Sequence, residues 1–193
     1  MHLLLAQKGS VNESDEAVDL GQTPADLVFI TAADTEISSI AAAASQAQTA
    51  PPTLRVANLM QLSHPMSMDV YATNTVAGSR MVVVRVLGGE SYFQYGLDKL
   101  LQTAQECGVD LVVLPGDDKP DPGLARFNTV PGEFADRCWE YFKEGGPENM
   151  ANLLRLVACR LDGGEEPQNL GPSDVFFGRS LSKSELMMVL GTI

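Results

Sequence analysis

The sequence predicts an α/β fold in which a doubly wound parallel sheet of five strands is followed by C-terminal helices. Short apolar runs alternate along the chain with segments whose apolar residues recur at helical spacing. The run at 80–89 is almost continuously apolar, as expected for a strand of a parallel sheet that is covered on both faces. These two observations favour a parallel sheet between two layers of helices.

The strands follow one another in a regular βαβ rhythm. They are predicted at 2–7, 25–32, 53–62, 80–89 and 109–116. Strands joined by helices in this way pair in parallel through right-handed crossovers. The expected arrangement is therefore flavodoxin-like or Rossmann-like.

Polar residues at the ends of the apolar patterns predict where the helices begin and end. Asp34 or Thr35 is expected to cap the helix after the second strand, and Ser67 the helix after the third. Ser91 is expected to cap the helix after the fourth strand, which should end at Gly108 in a left-handed conformation. The buried face of that helix is predicted to carry Phe93, Leu97, Leu100, Leu101 and Ala104.

The last third of the chain is helical and divides at a linker. One apolar stripe comprises Phe134, Cys138, Tyr141 and Phe142, and a second comprises Met150, Leu153, Leu154, Val157 and Leu161. Pro147 should open the second helix. We predict one α/β domain over 1–162, and over 163–193 a linker with a short amphipathic helix that begins at a capping box, Ser182 to Glu185. The apolar tail is expected either to bind a partner or to belong to a longer chain from which this one is cut.

The composition narrows the classes of function. Lys plus Arg is 13 against 25 for Asp plus Glu, a formal charge of −12, which argues against binding nucleic acid or an anionic membrane. The three cysteines are far apart and odd in number, which excludes a complete disulfide framework and favours reduced thiols. Because the N-terminus has no cationic leader and no apolar run is long enough to span a bilayer, we expect a cytoplasmic protein.

Ligands of doubly wound sheets bind beyond the carboxyl ends of the strands. Three polar clusters are predicted to meet there: SHPMS after the third strand, LGGESYFQY after the fourth, and PGDDKPDPG after the fifth. The candidate ligand-binding residues at this edge are His64, Ser67, Gly88, Gly89, Ser91, Tyr92, Asp117, Asp118 and Lys119. Which residues, if any, are catalytic does not follow from the sequence.

Two candidates have a chemical and a structural interpretation. His64 could ligate a metal, bind a carboxylate or act as an acid or base, but a single histidine more often bonds the backbone and fixes a loop. Gly88, Gly89 and Ser91 could bind an anion at a helix N-terminus, or Ser91 could be a nucleophile. The alternative function is therefore a small-molecule hydrolase using Ser91 and His64.

The loop that contains Asp117, Asp118, Lys119 and Asp121 has three interpretations: a metal site, a phosphate-binding loop, or a rigid turn. Adjacent carboxylates on an extended chain point apart, and Lys119 can neutralise one of them. We therefore favour a rigid loop that presents one or two polar groups, and assign no metal site, with Asp117 and His64 as weak candidates.

Six collinear blocks carry a resemblance to a known family: MHLLLAQ, DLGQTPADLVFITAADTE, RVANLMQLSHPMSMDVY, VVVRVLGGESYFQYGLDKL, DLVVLPGDDKPDPGL and EGGPENMANLL. They resemble the N-terminal region of the large, CobN-type subunit of aerobic cobaltochelatase, a family related to the H subunit of magnesium chelatase. The likeness runs from Met1 to about Leu161 and weakens afterwards.

The resemblance implies a part in cobalamin biosynthesis, where the family's complex inserts Co²⁺ into hydrogenobyrinic acid a,c-diamide. It implies three partners: the corrinoid substrate, the AAA+-type subunits that use ATP and Mg²⁺, and the remainder of the large subunit. No Walker motif is found in this chain, in keeping with that division of labour. Because family members are several times longer, we expect a domain that is not catalytic alone and holds no cofactor itself.

Overall fold

The computed structural model describes residues 16–47, 52–164 and 167, and within them the chain forms a four-stranded parallel sheet. The strands are β1 (Leu27–Thr31), β2 (Leu54–Asn58), β3 (Met81–Val86) and β4 (Asp110–Pro115), in the order β2-β1-β3-β4. Four of the five predicted strands are therefore confirmed as parallel strands. The predicted strand at 2–7 and the predicted helix at 182–193 lie outside the described residues.

Six helices connect and follow the strands in the described part of the chain. They are α1 (Asp34–Ser45), α2 (Pro65–Asn74), α3 (Gln94–Cys107), α4 (Pro122–Ala125), α5 (Gly132–Glu144) and α6 (Gly146–Asp162). Short 3-10 turns occupy Leu59–Leu62, Val76–Gly78 and Glu90–Tyr92. None of the helices in the described ranges is long and apolar enough to cross a membrane.

The alternation of side chains along β3 divides the core into two layers. Val82, Val84 and Val86 pack with α2 and α3, whereas Met81 and Val83 pack with α1, α5 and α6. All six residues of β3 are buried, as the continuous apolar run predicts. The sheet is thus covered by helices on both faces.

The interiors of the helices agree with the sequence prediction. The predicted faces of α3, α5 and α6 are buried or packed against the core. Gly108 ends α3 in the left-handed region with φ 71°, and Pro147 lies in the first turn of α6. The three cysteines are free, as predicted: Cys107 is exposed, Cys138 is buried and Cys159 is half-buried. Burial in apolar surroundings raises the pKa of the Cys138 thiol to about 12.

The predicted N-caps of α1, α2 and α3 are wrong, and the strands predicted over 53–62 and 80–89 end earlier, at Asn58 and Val86. The strand predicted over 53–62 ends at Asn58, whose side chain caps the following 3-10 turn by accepting from the Met60 N–H. Helix α1 has Ala33 as its N-cap, in place of Asp34 or Thr35. The Thr31 hydroxyl accepts from the Ala33 N–H, so the preceding strand supplies the polar group at this helix start.

Candidate functional site

The loops that follow β3 and β4 pack tightly together at the carboxyl edge of the sheet. A Cβ on Gly116 would lie 2.8 Å from the Leu87 Cα, and one on Gly89 would lie 3.3 Å from an Asp121 carboxylate oxygen. Gly88 and Gly89 have φ of 90° and 79°, values that L-residues rarely adopt. The two glycines of the LGGE motif therefore let the chain turn sharply against the next loop, which joins two of the three predicted clusters.

His64 has the structural role that the sequence analysis favoured for it. It is the N-cap of α2, and its Nδ1 accepts a hydrogen bond of 3.2 Å from the Met66 N–H. The lone pair of Nδ1 is therefore used by the backbone of α2. Pro65 fixes the helix start at this point, because proline is favoured in the first turn.

The two candidate serines are in different surroundings. Ser67 does not cap α2: it is 1 % exposed, and its hydroxyl accepts from the Val18 N–H at 2.7 Å, which anchors the N-terminal segment of the described chain. Ser91 is exposed in the 3-10 turn and does not cap α3, whose N-cap is Phe93. Among the described contacts no hydrogen bond joins Ser91 to His64. The geometry thus offers no activated nucleophile at Ser91.

The carboxyl edge exposes an apolar surface, which we name the edge patch. Its members are Met60, Met66, Leu87, Tyr92 and Tyr95. The Tyr92 hydroxyl lies 3.3 Å from the Met60 sulfur, which joins the loops after β2 and β3. The Tyr95 hydroxyl donates to Asp69, one helical turn from Met66, and so joins α3 to α2.

The side chains of the edge patch are largely exposed to solvent. Met66 is 61 % exposed, Leu87 58 % and Tyr92 54 %. Exposed apolar side chains that lie together at one edge of a sheet are typical of a binding site. Methionine and tyrosine also suit such a surface, because one adapts its shape and the other combines an apolar ring with a hydroxyl.

The loop after β4 is held by hydrogen bonds from its own backbone. Asp121 caps the short helix α4, where its carboxylate accepts from the Gly123 and Leu124 N–H groups. Asp117 accepts from the backbone N–H of Lys119 at 3.2 Å. Within the described residues the Lys119 amine forms no ion pair. Asp118 is exposed.

Metal ligation has no geometric support in the described ranges. Within residues 16–47, 52–164 and 167 there is no group of three or more His, Cys, Asp or Glu side chains that could hold a metal ion. The two weak candidates, His64 and Asp117, each accept a backbone hydrogen bond. The loop chemistry therefore resembles a turn more than a cation site.

A buried charged cluster was missed by sequence reasoning. Arg85, the last residue but one of β3, forms an ion pair with Glu36 of α1, and the Thr31 hydroxyl donates to the same carboxylate at 2.7 Å. The guanidinium also donates to the carbonyls of Pro115 and Gly116, at 3.1 and 2.7 Å. Burial lowers the pKa of Arg85, while Glu36 and Asp117 oppose that shift by their charge.

This cluster fixes the end of β4 relative to β3 and α1. The Arg85 guanidinium lies 5.0 Å from the centre of the Phe142 ring, which stacks on Phe29 at 5.1 Å. Every polar atom of the guanidinium that faces the interior therefore has a carboxylate, a carbonyl or a ring against it. Its side chain is only 7 % exposed, so the pair is structural and not a ligand site.

A groove of about 530 Å³ lies between α5 and the loop after β4, and we name it the α5 groove. It is lined by Val113, Leu114, Pro115, Pro120, Asp121, Pro122, Ala125, Asn128, Ala135, Asp136, Trp139, Glu140 and Lys143. The Trp139 indole N–H donates to the Asp117 carbonyl at 3.2 Å, which ties the helix to the loop. Trp139 is half-buried and lines the wall of the groove.

The fold and the carboxyl edge define the class of protein. It is a parallel α/β domain with helices on both faces of the sheet and exposed apolar side chains at the carboxyl ends of its strands.

No protein-family model matches the sequence. Two relatives are described as aerobic cobaltochelatase subunit CobN. The one from Sinorhizobium is 51 % identical over 89 % of this chain, and the one from Pseudomonas aeruginosa is 37 % identical over 93 %.

A solved structure agrees with these relatives. It is the catalytic subunit of cobaltochelatase from Mycobacterium tuberculosis, with a TM-score of 0.54 and 25 % identity over 69 % of this chain and 10 % of that one. This chain belongs to the CobN family of cobaltochelatase subunits. It spans only 13 % and 15 % of the length of the two relatives, so it corresponds to about one seventh of a large subunit.

Proposed function

We propose that this chain is a domain of a cobaltochelatase large subunit and takes part in inserting Co²⁺ into a corrinoid during cobalamin biosynthesis. The observation that carries the proposal is the 51 % identity to a CobN subunit over 89 % of the chain. The substrate of the complex would be hydrogenobyrinic acid a,c-diamide, and ATP would be used with Mg²⁺ by separate AAA+-type subunits.

The edge patch supports a role in binding or gating the corrinoid, or in docking the rest of the complex. A corrin ring is broad and apolar with polar substituents at its rim. The patch offers apolar contacts from Met60, Met66, Leu87 and Tyr92. The loop after β4 carries the polar residues Asp117, Asp118 and Lys119. Binding surfaces of flat ligands have this composition, with apolar contacts at the centre and a few polar groups at the margin.

The domain would not insert cobalt by itself. A chelatase must remove two pyrrolic protons and deliver the metal to one face of the ring. The described residues offer no group of metal ligands, and the Nδ1 of His64 is engaged with the backbone. Those steps would therefore fall to the rest of the large subunit, with this domain covering or positioning the ring.

The first test titrates the full chain into hydrogenobyrinic acid a,c-diamide and follows the absorbance of the corrinoid. We expect weak binding, reduced about tenfold by Met60→Gln with Tyr92→Ser, because removing central apolar contacts has the largest effect on an interface. The matched control changes Gln102 and Glu106, exposed residues of α3, to serine. Equal affinity of the patch and control variants would contradict a role for the edge patch.

The second test asks whether the chain is catalytic alone. With Co²⁺, ATP, Mg²⁺ and the ATPase subunits, we expect the chain to give no cobalt corrinoid. Turnover by this chain would overturn the division of labour that we propose. The hydrolase alternative, which needs an activated Ser91, has no specific observation in its favour.

A further inference from the structure

The α5 groove has a composition that the proposed chelatase role does not use. Its floor is the apolar end of β4, and its walls carry Pro120, Pro122 and the Trp139 ring. A volume of about 530 Å³ lies in the usual range for sites that enclose a ligand or a few residues of a peptide. The groove lies beside β4 and the loop after β2 beside the opposite end of the sheet, because β2 and β4 are the two outer strands.

The charges along the groove are unbalanced. Three carboxylates line it, from Asp121, Asp136 and Glu140, against one amine from Lys143. The Asp121 carboxylate is engaged as the cap of α4. Asp136 and Glu140 are exposed, and within the described part of the chain they form no hydrogen bond or ion pair.

The ring of Trp139 already attracts a cation. The Lys143 amine lies 5.3 Å from the centre of the ring, one helical turn further along α5. Cations bind to the face of an indole through its quadrupole, and an arginine guanidinium does so better than an amine because it is flat and less strongly hydrated. The groove therefore contains an aromatic ring and two unpaired carboxylates, and the Lys143 amine lies against that ring.

From this juxtaposition we propose that the α5 groove binds an extended basic segment of a protein partner, with an arginine against Trp139 and aliphatic side chains on the prolines. The guanidinium would replace the Lys143 amine over the ring and pair with Asp136 and Glu140. The formal charge of −12 favours a basic partner and accelerates its encounter at low salt. The inference does not depend on the chelatase proposal, since it concerns this chain alone.

The test uses the fluorescence of Trp139, the only tryptophan in the sequence. The full chain is titrated with N-acetylated, C-amidated Ala-Leu-Arg-Leu-Ala and with the same peptide carrying glutamine in place of arginine. We expect the arginine peptide to change the emission and to bind about tenfold more tightly than the glutamine peptide, with an affinity that falls as salt rises.

Two variants, each with a matched control, separate the groove from general charge attraction. Asp136→Asn with Glu140→Gln should weaken binding of the arginine peptide about tenfold, whereas Glu144→Gln with Glu148→Gln changes the net charge equally and should have less than about a twofold effect. Lys143→Ala should tighten binding about threefold, because it removes the competing cation from the Trp139 ring. Lys99→Ala serves as the charge-matched control.

Three results would overturn the proposal. The first is equal binding of the two peptides, and the second is equal weakening by the two carboxylate pairs. The third is no change in emission with either peptide at millimolar concentration, which would mean that the groove is empty or filled by another segment of this chain. A doubled mass in light scattering that Asp136→Asn with Glu140→Gln abolishes would assign the groove to a second copy of the chain instead.

Discussion

Two carboxylate-bearing regions of this domain lie on the same side of the sheet and differ in their partners. Glu36 is half-buried and pairs with the buried Arg85 and with Thr31, whereas Asp136 and Glu140 line the α5 groove and form no hydrogen bond or ion pair within the described chain. A buried guanidinium without a carboxylate would carry a large desolvation penalty, so the contact with Glu36 stabilises the fold. Asp136 and Glu140 are exposed and available to a ligand, so a charge is informative about function only after its partners are known.

The largest expected effect comes from breaking the buried pair. Arg85→Met should lower the free energy of unfolding by about 3–5 kcal/mol, because it leaves Glu36 and the carbonyls of Pro115 and Gly116 without their donor. The measurement is urea unfolding followed by circular dichroism. Arg126→Met is the matched control: Arg126 pairs with Glu90 but is 59 % exposed, and we expect a loss of at most about 1 kcal/mol. Similar losses of unfolding free energy in the two variants would show that the Arg85–Glu36 pair stabilises the fold no more than an exposed pair does.

The next effect concerns the contact between the loops after β3 and β4. Gly116→Ala places a methyl group 2.8 Å from the Leu87 Cα, where backbone must move, and should cost about 1–3 kcal/mol. Gly132→Ala is the control, since a Cβ at that position meets nothing within 4 Å. If thermal unfolding showed the two variants to be equally stable, the tight packing of the two loops would be contradicted.

A smaller effect distinguishes the aspartates of the loop after β4. Asp121→Ala removes the cap of α4 and should cost about 1 kcal/mol, whereas Asp118→Ala should change stability by less than about 0.5 kcal/mol. Chemical denaturation of the two variants measures the difference. A cost at Asp118 as large as that at Asp121 would mean that this exposed carboxylate has a structural role.

The smallest effect is a pH dependence at the amino edge of the sheet. Hydrogen bonds from the side chain and backbone of Thr53, with the charge of Arg80, lower the pKa of Asp26 below its usual 3.8. A lowered carboxyl pKa stabilises the fold above about pH 4, and that contribution is lost as the pH falls through the folded-state pKa.

The Thr53 hydroxyl donates one of those bonds, at 2.6 Å, so Thr53→Val should raise the Asp26 pKa toward 3.8. It should also make the protein slightly less stable at pH 7, with a difference from the parent that shrinks below about pH 3. Carboxyl chemical shifts followed by NMR report the pKa, and thermal midpoints across the pH range report stability. An unchanged pKa in the variant would remove Thr53 as the cause.

The four strands and the helix interiors could be predicted from the sequence because the spacing of apolar residues along the chain indicates them. The N-caps of α1, α2 and α3 could not, since several polar residues compete for each cap, whereas Pro147 marked the start of α6. At α2, Pro65 fixes the first turn and leaves His64 as the cap, while Ser67 turns inward to hold Val18. At α3, the preceding 3-10 turn takes up Ser91.

The buried cluster had a signal that could have been used. Arg85 interrupts an apolar run that was predicted to be covered on both faces, and such a charge requires a partner from another element. The α5 groove had no equivalent signal, because Asp136, Trp139 and Glu140 look like an ordinary helix surface until the position of the loop is known. Sites made by packing between elements are the part that a single sequence leaves out.

The most direct test of the chelatase role places this chain in a complete subunit. The matching segment of the Sinorhizobium relative is replaced by this chain, and cobalt insertion into hydrogenobyrinic acid a,c-diamide is measured with the ATPase subunits, ATP and Mg²⁺. We predict that the chimera is active and that Met60→Gln with Tyr92→Ser lowers its rate at least about tenfold without changing its thermal midpoint. Full activity in that variant, or an inactive but folded chimera, would contradict the role assigned to this domain.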